Sequence, residues 1–165
     1  MQKKVSALIA VRSGSVRVKN KNIRTFNDST LLELKIKQLQ SVKEINDVVV
    51  NSNSDEMLSI AKNLGAKTVK RDDYYASNTI SMSSVFEHMA KNMDCENILY
   101  ANCTNPLVST NSYSDAIRIF LNNTSVYDSL GSCHDIKEFL YLDGKALNYD
   151  PMNQPRSQDL PDVVA

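Results

Sequence analysis

The chain has 165 residues, 42% of them hydrophobic and 23% charged, so it can bury a core and has a globular composition. Its nineteen lysines and arginines balance nineteen aspartates and glutamates. This zero net charge disfavours a nucleic-acid partner, because proteins that bind a duplex usually carry a basic excess. No stretch approaches the roughly 20 apolar residues of a membrane helix, so we expect no membrane association.

Two features bear on the compartment in which the protein works. Three cysteines, at positions 95, 103 and 133, are too widely and irregularly spaced for a zinc site or a disulfide framework. We expect reduced, buried thiols in a cytoplasmic protein. The N-terminal residues superficially resemble a signal peptide, but their apolar run covers only 5–11 and is stopped by Arg12.

The first half of the chain alternates between strand and helix patterns. The apolar run 5–11 predicts a strand buried on both faces. A helix follows a cap at Ser29 or Thr30. Its buried face is predicted to hold Leu32, Ile36 and Leu39, and its water-facing side Glu33, Lys35 and Lys37.

The alternation continues to about residue 121. The predicted strands cover 47–51, 66–69 and 98–101, and the predicted helices lie between Ser54 and Gly65, over 81–93 and over 112–121. Along the helix 81–93, one side carries Met82, Val85, Met89 and Met93, which we interpret as core packing.

This order predicts an α/β fold with a mostly parallel sheet and flanking helices. Ligands of such sheets bind at the carboxyl ends of the strands, where loops 12–22 and 103–108 would lie. The pattern changes after Val126. Strands are predicted over 127–133 and 139–142, with a hairpin turn at 143–144, and a further strand opens at 163–165. Between them, residues 148–161 read as a long polar loop, which is usually functional or disordered.

Residues 12–22, RSGSVRVKNKN, form the basic loop and carry the strongest functional signal. Arg12 follows a strand end and can pair with phosphate oxygens in a forked way. Gly14 lets backbone amides approach phosphates, and Ser15 adds a hydroxyl donor. Lys21 offers a mobile ammonium for outer phosphates, and Asn22 can orient Lys21 or bind a ligand. The alternative is a solvated basic loop, since neither GxxxxGK[ST] nor GxGxxG is present.

The segment ALIAVRSGSVRVKNKNI resembles the opening signature of the acylneuraminate cytidylyltransferases, also called CMP-sialic acid synthetases. That signature runs roughly Ala-Arg-x-Gly-Ser-Lys-x-Ile-Pro-x-Lys-Asn. The matching residues are Arg12, Gly14, Ser15, Lys21, Asn22 and Ile23. Val11, Val16 and Lys19 depart from it, while Arg17 lies where the related CMP-Kdo synthetases place an arginine.

Four later segments resemble the same family in the same order, so the resemblance covers essentially the whole chain. VVVNSNSDEMLSIAKNLGAKTVKR resembles a segment that ends in arginine, here Arg71. DDYYASNTISMSSVFEHM keeps Ser81 in register, with Asn78 in place of a usual aspartate. ILYANCTNPLV has Asn102 in place of a glutamine, and QPRSQDLPDVVA resembles Arg-Arg-Gln-Asp-Leu-Pro.

The resemblance implies a Rossmann-like fold of the nucleotide-diphospho-sugar transferase type that activates a nonulosonic acid with CTP. The sugar's anomeric hydroxyl would attack the α-phosphate and displace pyrophosphate. The implied triphosphate ligands are Arg12, Gly14, Ser15, Lys21 and Asn22, of which Arg12 and Lys21 are also the catalytic candidates. The implied cytidine contacts are Arg71 and Ser81, with Asn102 near cytosine or the sugar. The implied contacts of the acidic sugar are Lys137, Arg156 and Gln158.

The resemblance also implies Mg²⁺ and a homodimer of the full-length protein. Family members usually run well beyond Ala165, and that part would carry more sheet, dimer contacts and the aspartates that bind Mg²⁺. We therefore expect 1–165 to be one nucleotidyltransferase domain without its C-terminal part, with 127–161 as a sugar-side or dimerisation excursion. Asp55 and Glu56 fit a helix start better than a metal site.

Several alternatives remain open at this point. The acidic sugar could be Kdo, or the chain could be a non-catalytic module that binds a nucleotide or a sugar. Arg71 could pair with Asp72 or Asp73, and Arg156 and Lys137 could be ordinary surface charges. For His88, packing in a helix is favoured over catalysis.

Overall fold

The computed structural model describes residues 4–15, 18–77 and 79–164. The interpretations of Val16, Arg17 and Asn78 therefore concern residues outside the described part of the chain. Two compact units, Met1–Val126 and Tyr127–Ala165, divide the chain.

The first unit is an α/β sandwich built on one parallel sheet. Its elements are β1 (Val5–Ala10), β2 (Thr25–Phe26), β3 (Ser29–Thr30), α1 (Leu31–Gln40), β4 (Asp47–Ser52), α2 (Asp55–Asn63), β5 (Lys67–Lys70), α3 (Met82–Lys91), β6 (Asn97–Tyr100) and α4 (Thr110–Asn122). Four of the strands form a sheet in the order β5-β4-β1-β6, with every pairing parallel. The predicted fold class is confirmed.

Strand β1 supplies apolar side chains to both faces of this sheet, since successive residues of a strand point to opposite sides. Val5, Ala7 and Ile9 pack into one cluster, which also contains the buried face of α1. Leu8 packs into another cluster with Val85 and Met89 of α3. Burial on both sides explains why the run 5–11 is apolar apart from Ser6.

Hydroxyl side chains begin all four α-helices. In each case the cap accepts a hydrogen bond from the backbone N–H three residues on, which satisfies one otherwise unpaired donor. The caps are Thr30, Ser54, Ser81 and Ser109. After α2, Gly65 has φ +77°, the left-handed conformation that a glycine just past a helix end adopts. The predicted caps of α1 and α2 and the helix-ending glycine are confirmed.

The assignment of Lys35 to the water-facing side of α1 is wrong, because its side chain is only 1% exposed. Lys35 lies three residues after Leu32 and four before Leu39, so it shares their buried face. The prediction that the methionines on one side of α3 pack in the core is correct for Met89 but wrong for Met82, which is 57% exposed. Met82 is the first residue of its helix, one turn before the buried Val85.

The second unit contains short strands and turns. Its strands are β7 (Asp135–Ile136), β8 (Tyr141–Leu142), β9 (Lys145–Ala146) and β10 (Val163–Val164), and 3₁₀ turns lie at Pro151–Asn153 and Ser157–Asp159. The predicted hairpin is present, since β8 pairs with β9 around Asp143 and Gly144, both with positive φ. The predicted strand at 163–164 pairs with β7.

The predicted strand over 127–133 is wrong, because residues 127–134 have no regular structure and β7 begins only at Asp135. The segment contains Asp128 and Gly131, residue types that are depleted in strands. The strand predicted from 139 is likewise reduced to Tyr141–Leu142.

Candidate functional site

A cavity of about 600 Å³ opens where β1 and β6 end. Its volume falls within the range usual for small-molecule sites. Five of the predicted site residues line it, namely Arg12, Ser15, Lys21, Asn22 and Asn102. The two walls are the basic loop after β1 and the loop 101–109 after β6. The structure thus brings together the two loops that the topology of a parallel sheet places at one edge.

The basic loop is anchored on helix α1. The backbone carbonyl of Asn22 accepts a hydrogen bond of 2.9 Å from the N–H of Leu32, near the start of that helix. Asn22 itself is buried, whereas Lys21 beside it is exposed. Gly14 has φ +78° and open space where a side chain would stand. At that φ a side chain is strained, so glycine leaves the backbone accessible to a ligand.

A network of polar side chains holds the start of the basic loop. Asn53 accepts from the N–H of Ser13 at 3.1 Å and donates to the Ser13 hydroxyl at 3.0 Å and to Asp73 at 2.9 Å. The guanidinium of Arg12 donates to the carbonyl of Ala76, in the 3₁₀ turn Asp73–Ala76 that follows β5. Residues that follow three neighbouring strands of the sheet, β1, β4 and β5, therefore fix the position of Arg12.

A second cavity, of about 330 Å³, adjoins Arg12 and is lined by Arg71, Tyr75 and Tyr100 among others. Arg71 is 5% exposed and donates to Asn51 from two nitrogens: Nε to Oδ1 at 2.6 Å and Nη2 to the backbone carbonyl at 2.9 Å. Burial lowers the pKa of Arg71; Tyr100 opposes this effect and Arg12 adds to it. The guanidinium pairs with Asn51 rather than with Asp72 or Asp73.

Sequence reasoning missed two residues of these cavities. Asn51 is 1% exposed and orients Arg71. The sequence feature that could have identified it is an amide directly after the three valines of β4. Tyr100 ends β6 beside Arg71, and burial raises the pKa of its phenol. His88 stacks on Tyr75 with ring centroids 3.9 Å apart, which is a packing contact.

Other predicted residues lie elsewhere. Gly14 and Ser81 are not among the described residues that line either cavity. The Ser81 hydroxyl caps α3, accepting from the N–H of Ser84 at 3.2 Å. In the second unit, Lys137 donates to Asp162 at 2.5 Å and Arg156 to Asp159 at 2.9 Å. Gln158 is exposed in a 3₁₀ turn of the same unit.

The described residues do not fit a magnesium site. Among them there is no group of three or more histidine, cysteine, aspartate or glutamate side chains placed to hold a metal ion. Asp55 lies in the first turn of α2 and pairs with Lys70. In the same part of the chain, no helix combines the length and the apolar character that crossing a membrane needs.

The fold and the cation-lined edge of its sheet define an α/β protein of the nucleotidyltransferase type. A solved structure of CMP:2-keto-3-deoxy-manno-octonic acid synthetase complexed with CTP shares the fold, with a TM-score of 0.67 and 12% identity. The match covers 81% of this chain and 53% of that one. The chain belongs to the Cytidylyltransferase family, whose model matches residues 6–155.

Two relatives make the family resemblance more specific. N-acylneuraminate cytidylyltransferase of Oncorhynchus mykiss is 25% identical over 162 residues, which are 94% of this chain and 38% of that protein. Pseudaminic acid cytidylyltransferase of Campylobacter jejuni (strain 81-176) is 27% identical over 164 residues, 93% of this chain and 71% of that protein. The resemblance inferred from the motifs is confirmed, and the chain spans well under half the length of the trout relative.

Proposed function

We propose that this chain provides the nucleotide site of an enzyme that transfers the cytidylyl group of CTP to an acidic nonulosonic sugar. The observation that carries the proposal is the cavity that collects Arg12, Lys21 and Asn22 on one wall and Asn102 on the other. Both relatives are named for acidic nonulosonic sugars, N-acylneuraminate and pseudaminic acid, which supports a sugar of this class.

The proposed reaction is an in-line displacement at phosphorus. The anomeric oxygen of the sugar forms a bond to the α-phosphorus, and the bond to the bridging oxygen breaks with its electron pair leaving on pyrophosphate. Negative charge thus accumulates on the outer phosphates. Arg12, whose guanidinium is held by Ala76, and the exposed ammonium of Lys21 would stabilise that charge.

The cytidine part is assigned to the second cavity. Two nitrogens of the Arg71 guanidinium point to Asn51, which leaves further N–H groups of its planar fork for a ligand. Ser81 does not line that cavity itself but lies between Ile80 and Met82, which do; its oxygen caps α3, so it would contact cytidine as a donor. Asn102 would lie near cytosine or the sugar.

The acidic sugar is assigned to Lys137, Arg156 and Gln158 of the second unit. Lys137 and Arg156 are engaged with Asp162 and Asp159, so a sugar carboxylate would have to compete with those carboxylates. A homodimer and a cytoplasmic location are part of the same proposal. The three cysteines are unpaired, which is compatible with that compartment, but only Cys103 is buried, so the prediction of buried thiols is wrong for the half-buried Cys95 and the exposed Cys133.

Pyrophosphate release tests the proposal. The protein is incubated with CTP together with one acid at a time. The three acids are an N-acylneuraminic acid, pseudaminic acid and Kdo. We expect release with at least one of the first two acids and none with CTP alone. Release with Kdo only would show that the acidic sugar is Kdo and not one of the proposed class. CTP binding without release for any acid would favour a binding module, and no CTP binding would refute the nucleotide site.

A matched pair of variants locates the site. Lys21 and Lys19 are both exposed lysines of the basic loop, but only Lys21 is among the described residues lining the first cavity. Because a hydrogen bond to a charged group contributes about 1.5–3 kcal/mol, Lys21→Ala should weaken CTP binding by about tenfold to a hundredfold. Lys19→Ala should leave it within about twofold of the unchanged protein. Equal effects of the two substitutions would contradict the assignment.

A further inference from the structure

The buried ammonium of Lys35 has an unusual set of partners. Lys35 is 1% exposed, and its Nζ donates to Gln38 Oε1 at 2.5 Å, to the carbonyl of Asn105 at 2.8 Å and to the hydroxyl of Tyr113 at 2.8 Å. These three acceptors match the three protons of an ammonium. Burying a lysine away from water is strongly unfavourable unless such partners are present. The three contacts therefore explain how the charge is tolerated in the core.

Two of the partners connect α1 to the loop 101–109 and to the helix that follows this loop. Asn105 lies in that loop, and Tyr113 lies in the first turns of the helix that follows it. Gln38, one turn after Lys35, donates from Nε2 to the carbonyls of Val108 and Pro106. Lys35 and Gln38, hereafter the α1 clamp, thus bind three backbone carbonyls of one loop.

The clamped loop is a wall of the proposed nucleotide cavity. Asn102, Cys103 and Thr104, which precede Asn105, line that cavity. Cys103 itself lines the cavity, and burial raises the pKa of its thiol to about 12, an effect that the charges of Lys35 and Lys21 oppose. No carboxylate pairs with Lys35 among the described residues, so its charge is compensated by neutral oxygens alone.

We propose that Lys35 is a positioning residue, which holds the loop 101–109 from behind in the conformation that forms the second wall of the cavity. Helix α1 then organises both walls, since Leu32 binds the basic loop through Asn22 and Lys35 binds the opposite loop through Asn105. The proposal rests on the proposed function only for the identity of the ligand. The clamp itself is a property of the free protein.

Lys35→Met tests the clamp, because methionine keeps most of the side-chain volume and removes the three donors. The three acceptors lose their donor, so we expect this variant to be less stable than the unchanged protein, although an apolar side chain suits the buried position. Amide hydrogen exchange of the free protein is measured first. We expect at least a tenfold loss of protection confined to residues 101–109 and the start of α4, with other helices unchanged. CTP affinity, measured by calorimetry, should fall by about tenfold.

Control variants separate positioning from stability. Ile36→Val removes a buried methylene from the same helix but leaves the clamp, so it should lower protection evenly and leave CTP affinity unchanged. If Lys35→Met unfolds the protein, Gln38→Ala, which removes only the partly buried member of the clamp, takes its place with the same local readout. Unchanged protection of 101–109 in the folded variant overturns the proposal. Loss spread evenly over the chain overturns it as well.

The failure of the proposed function would give a different result. If the unchanged protein binds no CTP, the nucleotide assignment fails, while the exchange measurement on the free protein still decides whether Lys35 holds the loop. If the loop loosens and CTP affinity does not change, the clamp is present but does not position the site, and the proposal is overturned.

Discussion

At the scale of single residues, Asn51 determines how Arg71 is presented to the second cavity. Both of its oxygens accept from the buried guanidinium. Asn51→Ala leaves the Arg71 Nε–H without its acceptor, and an unpaired buried donor destabilises a protein by about 1–3 kcal/mol. We expect the free energy of unfolding in urea to fall by that amount.

Asn63→Ala is the matched control for this measurement. Asn63 is exposed at the end of α2, so the same change of side chain should alter the free energy of unfolding by less than about 0.5 kcal/mol. If Asn51→Ala were as stable as the control, water or another group must satisfy Arg71, and Asn51 would not be its orienting partner.

Glu44 gives a pH dependence whose sign can be derived. Its carboxylate, in the turn between α1 and β4, accepts from the Ser114 hydroxyl at 2.6 Å and from Arg118 Nε at 2.8 Å. These contacts lower the pKa of Glu44 from 4.5 to about 2. Because the folded-state pKa is depressed, the contribution to stability is complete above the ordinary pKa and is lost as pH falls toward the folded one.

The measurement is the urea midpoint as a function of pH. Between pH 4.5 and about 2, the midpoint of the unchanged protein should fall more steeply than that of Glu44→Gln, which cannot titrate there. Glu96→Gln, at an exposed glutamate before β6, serves as control and should keep the original slope. Parallel curves for the unchanged protein and Glu44→Gln would rule out this linkage.

At the scale of secondary-structure elements, α1 is the helix on which both walls of the cavity depend. Its first turn is stabilised by Thr30, whose hydroxyl accepts from the N–H of Glu33 at 3.2 Å. Thr30→Ala should lower the free energy of unfolding by about 1 kcal/mol, the usual effect of losing an N-cap. Ser59→Ala, on the exposed side of α2, removes a hydroxyl that caps nothing and should be neutral or slightly stabilising. Equal losses for both would show that Thr30 has no special role.

The same helix shows what the sequence can and cannot predict about the fold. Period and capping are local, so the four parallel strands and the helices up to α4 are predicted with small errors at their ends, whereas the short strands β2 and β3 are not; Leu32, Ile36 and Leu39 are correctly predicted as core residues. Lys35 was not, because two of its acceptors, Asn105 and Tyr113, are 70 and 78 residues away along the chain. From its side-chain type alone, Lys35 is predicted to face water.

The candidate site divides in a similar way. Arg12, Ser15, Lys21 and Asn22 could be placed beside Asn102 because both loops follow strands of one parallel sheet, and this topology follows from the order of elements. The roles of Asn51 and Tyr100 depend on strand register and on which cation is buried next to them. Those quantities are set by packing across the sheet and are not visible in a local pattern.

At the scale of the whole molecule, a chain with no net charge concentrates cations at one edge of its sheet. Arg12 and Lys21 line the first cavity, Arg71 lines the second, and the ammonium of Lys35 is buried behind the loop 101–109. All four belong to the first unit. A local positive potential without a global one favours a small polyanion over a long one.

This distribution predicts how affinity depends on phosphate number and on salt. Under the proposed function CTP should bind more tightly than CMP, because the outer phosphates are the groups assigned to Lys21 and Arg12. The difference should shrink as salt rises, because the screening length falls from about 10 Å at 0.1 M to about 3 Å at 1 M. Calorimetry with both nucleotides at about 0.05, 0.15 and 0.5 M salt measures it. Lys21→Ala should reduce the CTP advantage and its salt dependence, and Lys19→Ala should preserve both. A CTP advantage that does not change with salt would mean that uncharged donors, rather than the cations of the basic loop, recognise the outer phosphates, and the absence of any CTP advantage would mean that the base and ribose dominate binding.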